Sequence, residues 1–201
     1  MNTASDSRRS IDHAPGVMDY ETGRNRRAVA ELVRSIVAVA HQDPYQPHRL
    51  LEKARSQIDE LLAVPNLLTL GVTRQRVHSE RSWWLYYDPW IKVAVATPLS
   101  EPITHDHGTW QVLAIYNGEV DYRAYERVDD GTVKGYGEIT LVERSRYRRG
   151  DLIVIPPPPN DIHDWEPTVR ETHLLALHGP EMAALRRYFS PSSNNYVVRE
   201  P

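Results

Sequence analysis

Two histidines, His105 and His107, are separated by one residue within a stretch, residues 102–110, that precedes an apolar, strand-like segment. On a β-strand the side chains of residues i and i+2 point to the same face, so both imidazoles can approach one metal ion. With nine histidines in 201 residues, chance alone supplies about 0.4 such pairs. The pair therefore indicates a metal site only if the chain also offers a third ligand and a suitable scaffold.

A third histidine, His163, follows a second patterned stretch. Gly150 begins an apolar segment that ends at Pro156, three more prolines follow, and His163 comes shortly after them. A glycine turn, an apolar strand and a rigid proline corner would return the chain to the interior of a barrel with the imidazole on a stiff frame. His163 is therefore the predicted third metal ligand.

The composition limits which chemistry is available. The chain has no cysteine, which excludes disulfides, a cysteine nucleophile and thiolate ligands and leaves His, Asp, Glu or Tyr to build a metal site. A net charge of −3 gives no overall attraction to nucleic acid or anionic membranes, and we interpret the arginine cluster at 144–149 as a solvated hairpin or loop. No segment resembles a signal peptide or a membrane span. We expect a soluble cytoplasmic protein.

Two helices are predicted ahead of the strands. Residues 1–22 are polar and without periodicity, which is typical of a flexible arm. In a helical segment, 23–66, apolar residues recur at helical spacing over 26–41 and again from Pro47 to residue 62. Residues 67–201 are predicted to form one barrel that ends with a short helix over 181–189 and a polar tail.

The predicted barrel consists of short segments rich in Val, Ile, Thr, Trp and Tyr, separated by Pro, Gly and Asp. Eight such strands at this spacing are typical of an antiparallel sandwich or barrel. Asn117 and Gly118 form a two-residue hairpin signal between two of them. The predicted strands are 67–72, 83–87, 91–97, 110–116, 119–125, 139–142, 152–155 and 172–177.

Taken together, the two histidine stretches resemble the two halves of the cupin signature, over residues 68 to 180. The resemblance implies an all-β core, a double-stranded β-helix or jelly-roll barrel, preceded here by two α-helices. The usual cupin glutamate ligand is absent, since residues 108–112 contain no carboxylate. The pattern His-Asp-His-x-x-Trp then resembles the thiol dioxygenases, a group that includes cysteine and 3-mercaptopropionate dioxygenases. That likeness implies Fe(2+) held by His105, His107 and His163, with a small thiol and O2 as substrates and a sulfinic acid as product.

The same resemblance implies roles for further residues. His178 lies fifteen residues after His163 and matches a histidine that assists catalysis beside the metal in that group. Arg81 is the candidate for binding a substrate carboxylate, and Trp110 and Gln111 are candidates for lining the substrate pocket. Gln111 falls about where animal cysteine dioxygenases carry a cross-linked cysteine, so that thioether cannot form here. Pro180 replaces the tyrosine expected two residues after His178.

Two alternatives remain open at this point. The first alternative is another metal-dependent cupin oxygenase or isomerase with a non-thiol substrate; Pro180 favours it, as does the position of Arg81, which no motif fixes. The second is a non-catalytic cupin that binds a metal or a small molecule. Histidine ligands would accept zinc, nickel, copper or manganese as well as iron. We expect a monomer or homodimer with small-molecule partners and no nucleic acid or membrane partner.

Overall fold

The computed structural model describes residues 16–17, 24–70, 72–75, 81–97, 102–180 and 185–199. Two helices, α1 (Arg24–Gln42) and α2 (Pro47–Ala63), and a 3-10 helix (Leu67–Leu70) lead into a β-rich core. The strands are β1 Gly16–Val17, β2 Val72–Gln75, β3 Arg81–Tyr87, β4 Lys92–Ala96, β5 Gln111–Asn117, β6 Glu119–Arg127, β7 Ile139–Arg148, β8 Leu152–Ile155, β9 Ile162–Pro167, β10 His173–His178, β11 Arg186–Ser190 and β12 Asn195–Arg199.

Both predicted helices are confirmed, and they cover one outer face of the barrel. Each buries a stripe of apolar residues at 3.6-residue spacing, and Pro47 stands in the first turn of α2, where its missing N–H is tolerated. The stripe packs on alternate residues of three strands, among them Val93, Val112 and Leu175. The helices therefore shield the outward face of the first sheet from water.

The strands form two antiparallel sheets in jelly-roll order. In the first sheet the order is β1-β3-β4-β10-β5-β8, with β2 also paired to β3, and in the second it is β7-β6-β9. The backbone at His105 extends the second sheet, because it bridges His163 of β9 on one side and Tyr188 of β11 on the other. From β5 to β10 the chain crosses between the two sheets at every connection except the β6–β7 hairpin, which is the double-sheet architecture that cupins use. The predicted all-β jelly-roll core behind two helices is confirmed.

An apolar core lies between the two sheets over about half of the barrel. Its buried residues come from β5, β6, β8 and β10 and share the inward face: Leu113, Ile115, Val120, Tyr122, Ile153, Ile155, Leu174 and Ala176. The inward positions at the other end are polar and include Gln111, His163 and His178, all buried. This polar end of the barrel holds the candidate site.

The predicted hairpin at Asn117 and Gly118 is wrong. The two flanking strands, β5 and β6, belong to different sheets, so the turn carries the chain across the barrel. Gly118 has φ +80°, and a Cβ there would lie 2.2 Å from the Thr172 hydroxyl oxygen. The glycine is required by a close approach at a corner between sheets rather than by strand pairing.

Several other segments differ from their predictions. Residues 186–189 form part of β11 instead of the predicted helix over 181–189, of which residues 181–184 lie outside the described residues. Residues 67–70 are a 3-10 helix rather than a strand. Within the predicted flexible arm, Gly16 and Val17 pair with β3. Strand β9 was not predicted, because charged and polar residues interrupt its apolar pattern, and β12 lies within the predicted polar tail.

The arginine cluster at 144–149 lies mainly on an exposed edge strand, β7, as the solvated interpretation expected. Arg146 donates to Asp121 at 2.6 Å and Arg148 donates to Glu119 at 2.7 Å, both across the β6–β7 hairpin. Its charge is therefore largely compensated within the sheet. In the described part of the chain, neither helix is long and apolar enough to cross a membrane.

The carboxylate of Asp88 links the first sheet to α1 through hydrogen bonds. This buried carboxylate accepts hydrogen bonds from the Tyr86 hydroxyl at 2.6 Å and from the backbone N–H groups of Trp90 and Ile91, each at 2.7 Å. The ring of His41, near the end of α1, lies 2.8 Å from the same carboxylate. Burial raises the pKa of Asp88, but these hydrogen bonds outweigh burial and hold the pKa below its usual value.

We expect Asp88→Ala to lower the free energy of unfolding by roughly 3 kcal/mol, because three donors, two of them in buried hydrogen bonds, would lose their acceptor. Urea denaturation followed by circular dichroism measures this change. Asp59→Ala is the matched control: Asp59 is half-exposed in an i,i+4 pair with Arg55, and its removal should change stability by less than about 0.5 kcal/mol. Equal effects of the two variants would contradict the assigned role of Asp88.

Candidate metal centre

Three imidazoles converge at the polar end of the barrel. His105 and His107 lie on the segment between β4 and β5, and His163 lies near the start of β9. The candidate ligand nitrogens of all three fall within 4.8 Å of one another. Two antiparallel backbone hydrogen bonds between His105 and His163, at 2.9 and 3.0 Å, hold the two halves of the site together.

The hydrogen bonds of two rings show which nitrogen faces the site. Nδ1 of His105 lies 2.7 Å from the carbonyl oxygen of Ile103, and Nδ1 of His163 lies 2.8 Å from that of Asp161. A carbonyl only accepts, so each ring must donate from Nδ1 and present a lone pair at Nε2. Nε2 of His163 is buried and has no hydrogen-bond partner among the described residues. This orphaned acceptor is suited to bind a cation.

The spacing of the first pair also fits one ion. Nε2 of His105 and Nε2 of His107 are 2.8 Å apart. Two nitrogen ligands at about 2.1 Å from one ion and at right angles to each other would be about 3 Å apart. The donor set of three imidazoles is one that zinc, copper, iron and nickel accept. The residues present therefore fit a bound transition metal.

Burial keeps two of these rings in the form that binds metal. Burial lowers the pKa of His163 to about 4, and the positive charge of Arg186 acts in the same direction. Burial also holds the pKa of His107 well below its usual value, again with a contribution from Arg186. Both rings are therefore neutral at pH 7 with a free lone pair, as metal binding requires.

Asp161, which the sequence analysis did not select, organises two of the ligands. Its carboxylate accepts the backbone N–H groups of His107 at 3.1 Å and Gly108 at 2.7 Å, and its carbonyl oxygen orients the His163 ring. Burial raises the pKa of this carboxyl, with a further contribution from the charge of Asp106. The available signal was its place two residues before His163, on the same face of the chain.

Two other buried carboxylates, those of Asp106 and Asp164, stabilise the backbone segments that carry the three histidines. Asp106, between the two histidines, pairs with the side chain of Arg187 and accepts its backbone N–H at 3.0 Å. Asp164 accepts from the Thr104 hydroxyl at 2.7 Å and from the Tyr125 hydroxyl at 2.9 Å. Each of these residues neighbours a ligand in the chain and points away from the metal site. They fix the strands rather than supply ligands.

A small cavity of about 20 Å³ opens beside the histidines. This volume is enough for one or two water molecules, so any larger ligand must displace neighbouring side chains. His178 is in the wall of the cavity, and its ring centroid lies 5.2 Å from that of His107. The described residues that line the cavity are Ser82, Trp84, Ala94, Ala96, His105, His107, Trp165, Ala176, His178 and Arg186.

The three predicted substrate-binding residues have different outcomes. Arg81 is the first residue of β3, but its side chain lies outside the described residues. Trp110 is buried in the core beneath the helices and donates from its indole N–H to the Pro44 carbonyl at 2.7 Å, which takes it away from the cavity wall. Gln111 is fully buried at the start of β5, in register with His178 of β10.

β11 brings two residues to the site that the sequence analysis missed. Arg186 lines the cavity with only 4 % of its surface exposed. Tyr188, two residues further on, stacks against the His105 ring with 5.9 Å between centroids. Because residues 181–189 were interpreted as a helix, neither was considered. The adjacent aromatic residues Tyr188 and Phe189, a type enriched in strands, were the available signal.

No family model matches the sequence, and no curated protein matches it significantly. Solved structures similar to the chain include KdgF from Halomonas sp., with 13 % identity and a TM-score of 0.40 over 54 % of this chain and 87 % of that one. A RmlC-like cupin from Shewanella frigidimarina gives 13 % identity and a TM-score of 0.40 over 56 % and 86 %. A Klebsiella pneumoniae protein with a double-stranded β-helix domain gives 14 % and 0.38 over 64 % and 90 %. The jelly-roll fold of this chain follows from its own strand order.

We expect metal-free protein to lose stability as the pH falls from about 6.5 to about 4. The pKa of His163 is lower in the folded than in the unfolded protein, so the unfolded state binds the extra proton in this range. The loss from this residue should be roughly 3 kcal/mol, measured by urea denaturation at a series of pH values. His163→Gln should show a shallower loss, whereas exposed His48→Ala should follow the parent. Parallel profiles for the parent and His163→Gln would refute the assignment.

We also expect His105→Ala to abolish binding of one divalent ion per chain, because the three ligand nitrogens act on a single ion. Metal content after anaerobic loading with ferrous or cobaltous ion, followed by gel filtration, measures this. His48→Ala should retain the full content. If His105→Ala still binds one equivalent, the three-histidine centre is wrong.

Proposed function

We propose that the chain is a non-haem iron(II)-dependent thiol dioxygenase that uses O2 to convert a small thiol, cysteine-like or a mercapto acid, into its sulfinic acid. The observation that carries the proposal is the three-histidine cluster next to a small cavity with a buried arginine. Among the described residues, the cluster contains no carboxylate. A centre of neutral ligands leaves the charge of a divalent ion to be balanced by the substrate.

The overall reaction is R–SH + O2 → R–SO2H: both oxygen atoms end on sulfur, and the sulfur is oxidised by four electrons as O2 is reduced. Bound iron would supply adjacent coordination positions for sulfur and O2 and would acidify the thiol. The protein contributes positioning, which is a large effect when two reactants are held side by side. His105, His107 and His163 provide the ligands, and their neutrality avoids competition with an anionic substrate.

Arg186 is the candidate for binding a substrate carboxylate, in place of Arg81. Arg186 lines the cavity, and its positive charge adds to the effect of burial in lowering the pKa values of His107 and His163. A buried guanidinium binds a carboxylate through two parallel hydrogen bonds, which orients a small acid as well as holding it. His178, in the same wall, can hydrogen-bond to a substrate held there. The limited volume of the cavity favours a small molecule.

A cytoplasmic location is part of this proposal, since thiols stay reduced in that compartment. The second candidate function is a metal-dependent cupin oxygenase or isomerase acting on a non-thiol anion. Pro180 favours it, because no hydroxyl stands where the thiol dioxygenases carry their tyrosine. Tyr188, whose ring stacks on that of His105, is a candidate to supply a hydroxyl in its stead.

The test is oxygen consumption by the ferrous protein with a panel of thiols, with mass spectrometry for a gain of two oxygen atoms. We expect turnover of a thiol with a carboxylate, such as cysteine or 3-mercaptopropionate, and slower turnover of cysteamine. Arg186→Gln should raise KM for the carboxylate thiol by about 10- to 100-fold, as expected for loss of a charge-assisted, bidentate contact.

Arg149→Gln is the matched control, because Arg149 is exposed near the opposite end of the barrel. Its KM should equal that of the parent. If the ferrous protein binds iron fully and oxidises no thiol in the panel, the thiol dioxygenase proposal fails and the second candidate gains support. If KM is unchanged in Arg186→Gln, the carboxylate is bound elsewhere.

A further inference from the structure

Gln111 is an isolated polar group inside the barrel. Its side chain has no exposed surface, and neither the nitrogen nor the oxygen of its carboxamide has a hydrogen-bond partner among the described residues. Buried side-chain amides are nearly always hydrogen-bonded, because transfer from water without a partner is costly. An apolar side chain of similar size would be the more stable choice at this position if the barrel had only to fold.

The orientation of Gln111 is given by its strand. Leu113 and Ile115, two and four residues further along β5, belong to the core between the two sheets, so Gln111 also faces the interior. It stands directly opposite His178 in the antiparallel register of β5 and β10. His178 lines the cavity, and its ring is 5.2 Å from the ring of His107. The unpartnered carboxamide is therefore at the metal end of the barrel.

We propose that Gln111 is a ligand-positioning residue: its carboxamide N–H donates a hydrogen bond to an oxygen or nitrogen atom of a small molecule bound to the metal. The proposal rests on the metal centre described above. Gln111 is the cross-strand neighbour of His178, which lines the cavity, so its carboxamide lies at the end of the barrel that holds the centre. A neutral donor there stabilises an anionic or oxygen ligand without adding charge.

The alternative is a buried water molecule that satisfies the amide in the absence of any metal. The two cases differ in what happens when the amide is removed. If the partner is the small molecule on the metal, the metal-free protein holds an unsatisfied amide, and Gln111→Leu should stabilise it. If the partner is a structural water or another protein group, Gln111→Leu breaks existing hydrogen bonds and should destabilise it.

The experiment compares parent, Gln111→Leu and the partly exposed control Gln57→Leu on α2, each metal-free and loaded with one equivalent of cobalt(II). We expect a higher urea midpoint for metal-free Gln111→Leu than for the parent. Azide, a small anion that binds cobalt, should bind about tenfold more weakly to loaded Gln111→Leu, with a changed visible spectrum. Gln57→Leu should match the parent in spectrum and azide affinity.

A lower urea midpoint for metal-free Gln111→Leu, or azide affinity equal to that of the parent, would overturn the proposal. Failure of the metal centre itself has a different signature: the parent would bind no stoichiometric cobalt, and His105→Ala would then look like the parent. If the parent binds cobalt and His105→Ala does not, while Gln111→Leu leaves the spectrum and azide affinity unaltered, the centre stands and only the role of Gln111 is refuted.

Discussion

The backbone at His105 is hydrogen-bonded on both sides, and the rest of the site depends on this pairing. On one side it exchanges two hydrogen bonds with His163, and on the other its neighbours Thr104 and Asp106 bond to β11. Without these contacts the second sheet would end at β9, and its edge would be open. With them, two histidines from one segment, a third from β9 and an arginine from β11 meet at one end of the barrel.

The interior of the barrel has an apolar part, which stabilises the fold, and a polar part, which holds the candidate site. The apolar part between the sheets, with Leu113, Ile153 and Leu174, gains from burial in the usual way. The polar end buries the imidazoles of His107, His163 and His178 together with Asp161, Gln111 and Arg186. Each of these groups costs free energy unless it has a partner. Sites that break the rules of a well-packed core are where function is expected. The free-energy cost of burying these polar groups is offset by the apolar part of the core and by the helices that cover the first sheet.

Most of the fold followed from local pattern. Apolar spacing predicted both helices, and alternation with turn residues predicted most of the strands, because these signals depend on residues near one another in the chain. The predictions failed where contacts with residues distant in the sequence outweigh the local pattern. Arg186–Ser190 became a strand by pairing with β12 and with the His105 segment, contacts that the sequence of this segment alone does not show. Asn117 and Gly118 turn the chain between sheets, although the dipeptide is also a good hairpin turn.

The three candidate ligands were determined by the sequence itself. His105 and His107 share a face because strand geometry has a period of two, and His163 follows a glycine, strand and proline corner that could return it to the same place. Only the tertiary structure decided what surrounds them. Arg186 and Tyr188 reach the site through strand pairing across long separations. Trp110 points away from the site because its indole N–H donates to the Pro44 carbonyl. Candidate metal ligands can be recognised from local spacing, whereas the residues that surround them are brought together by folding.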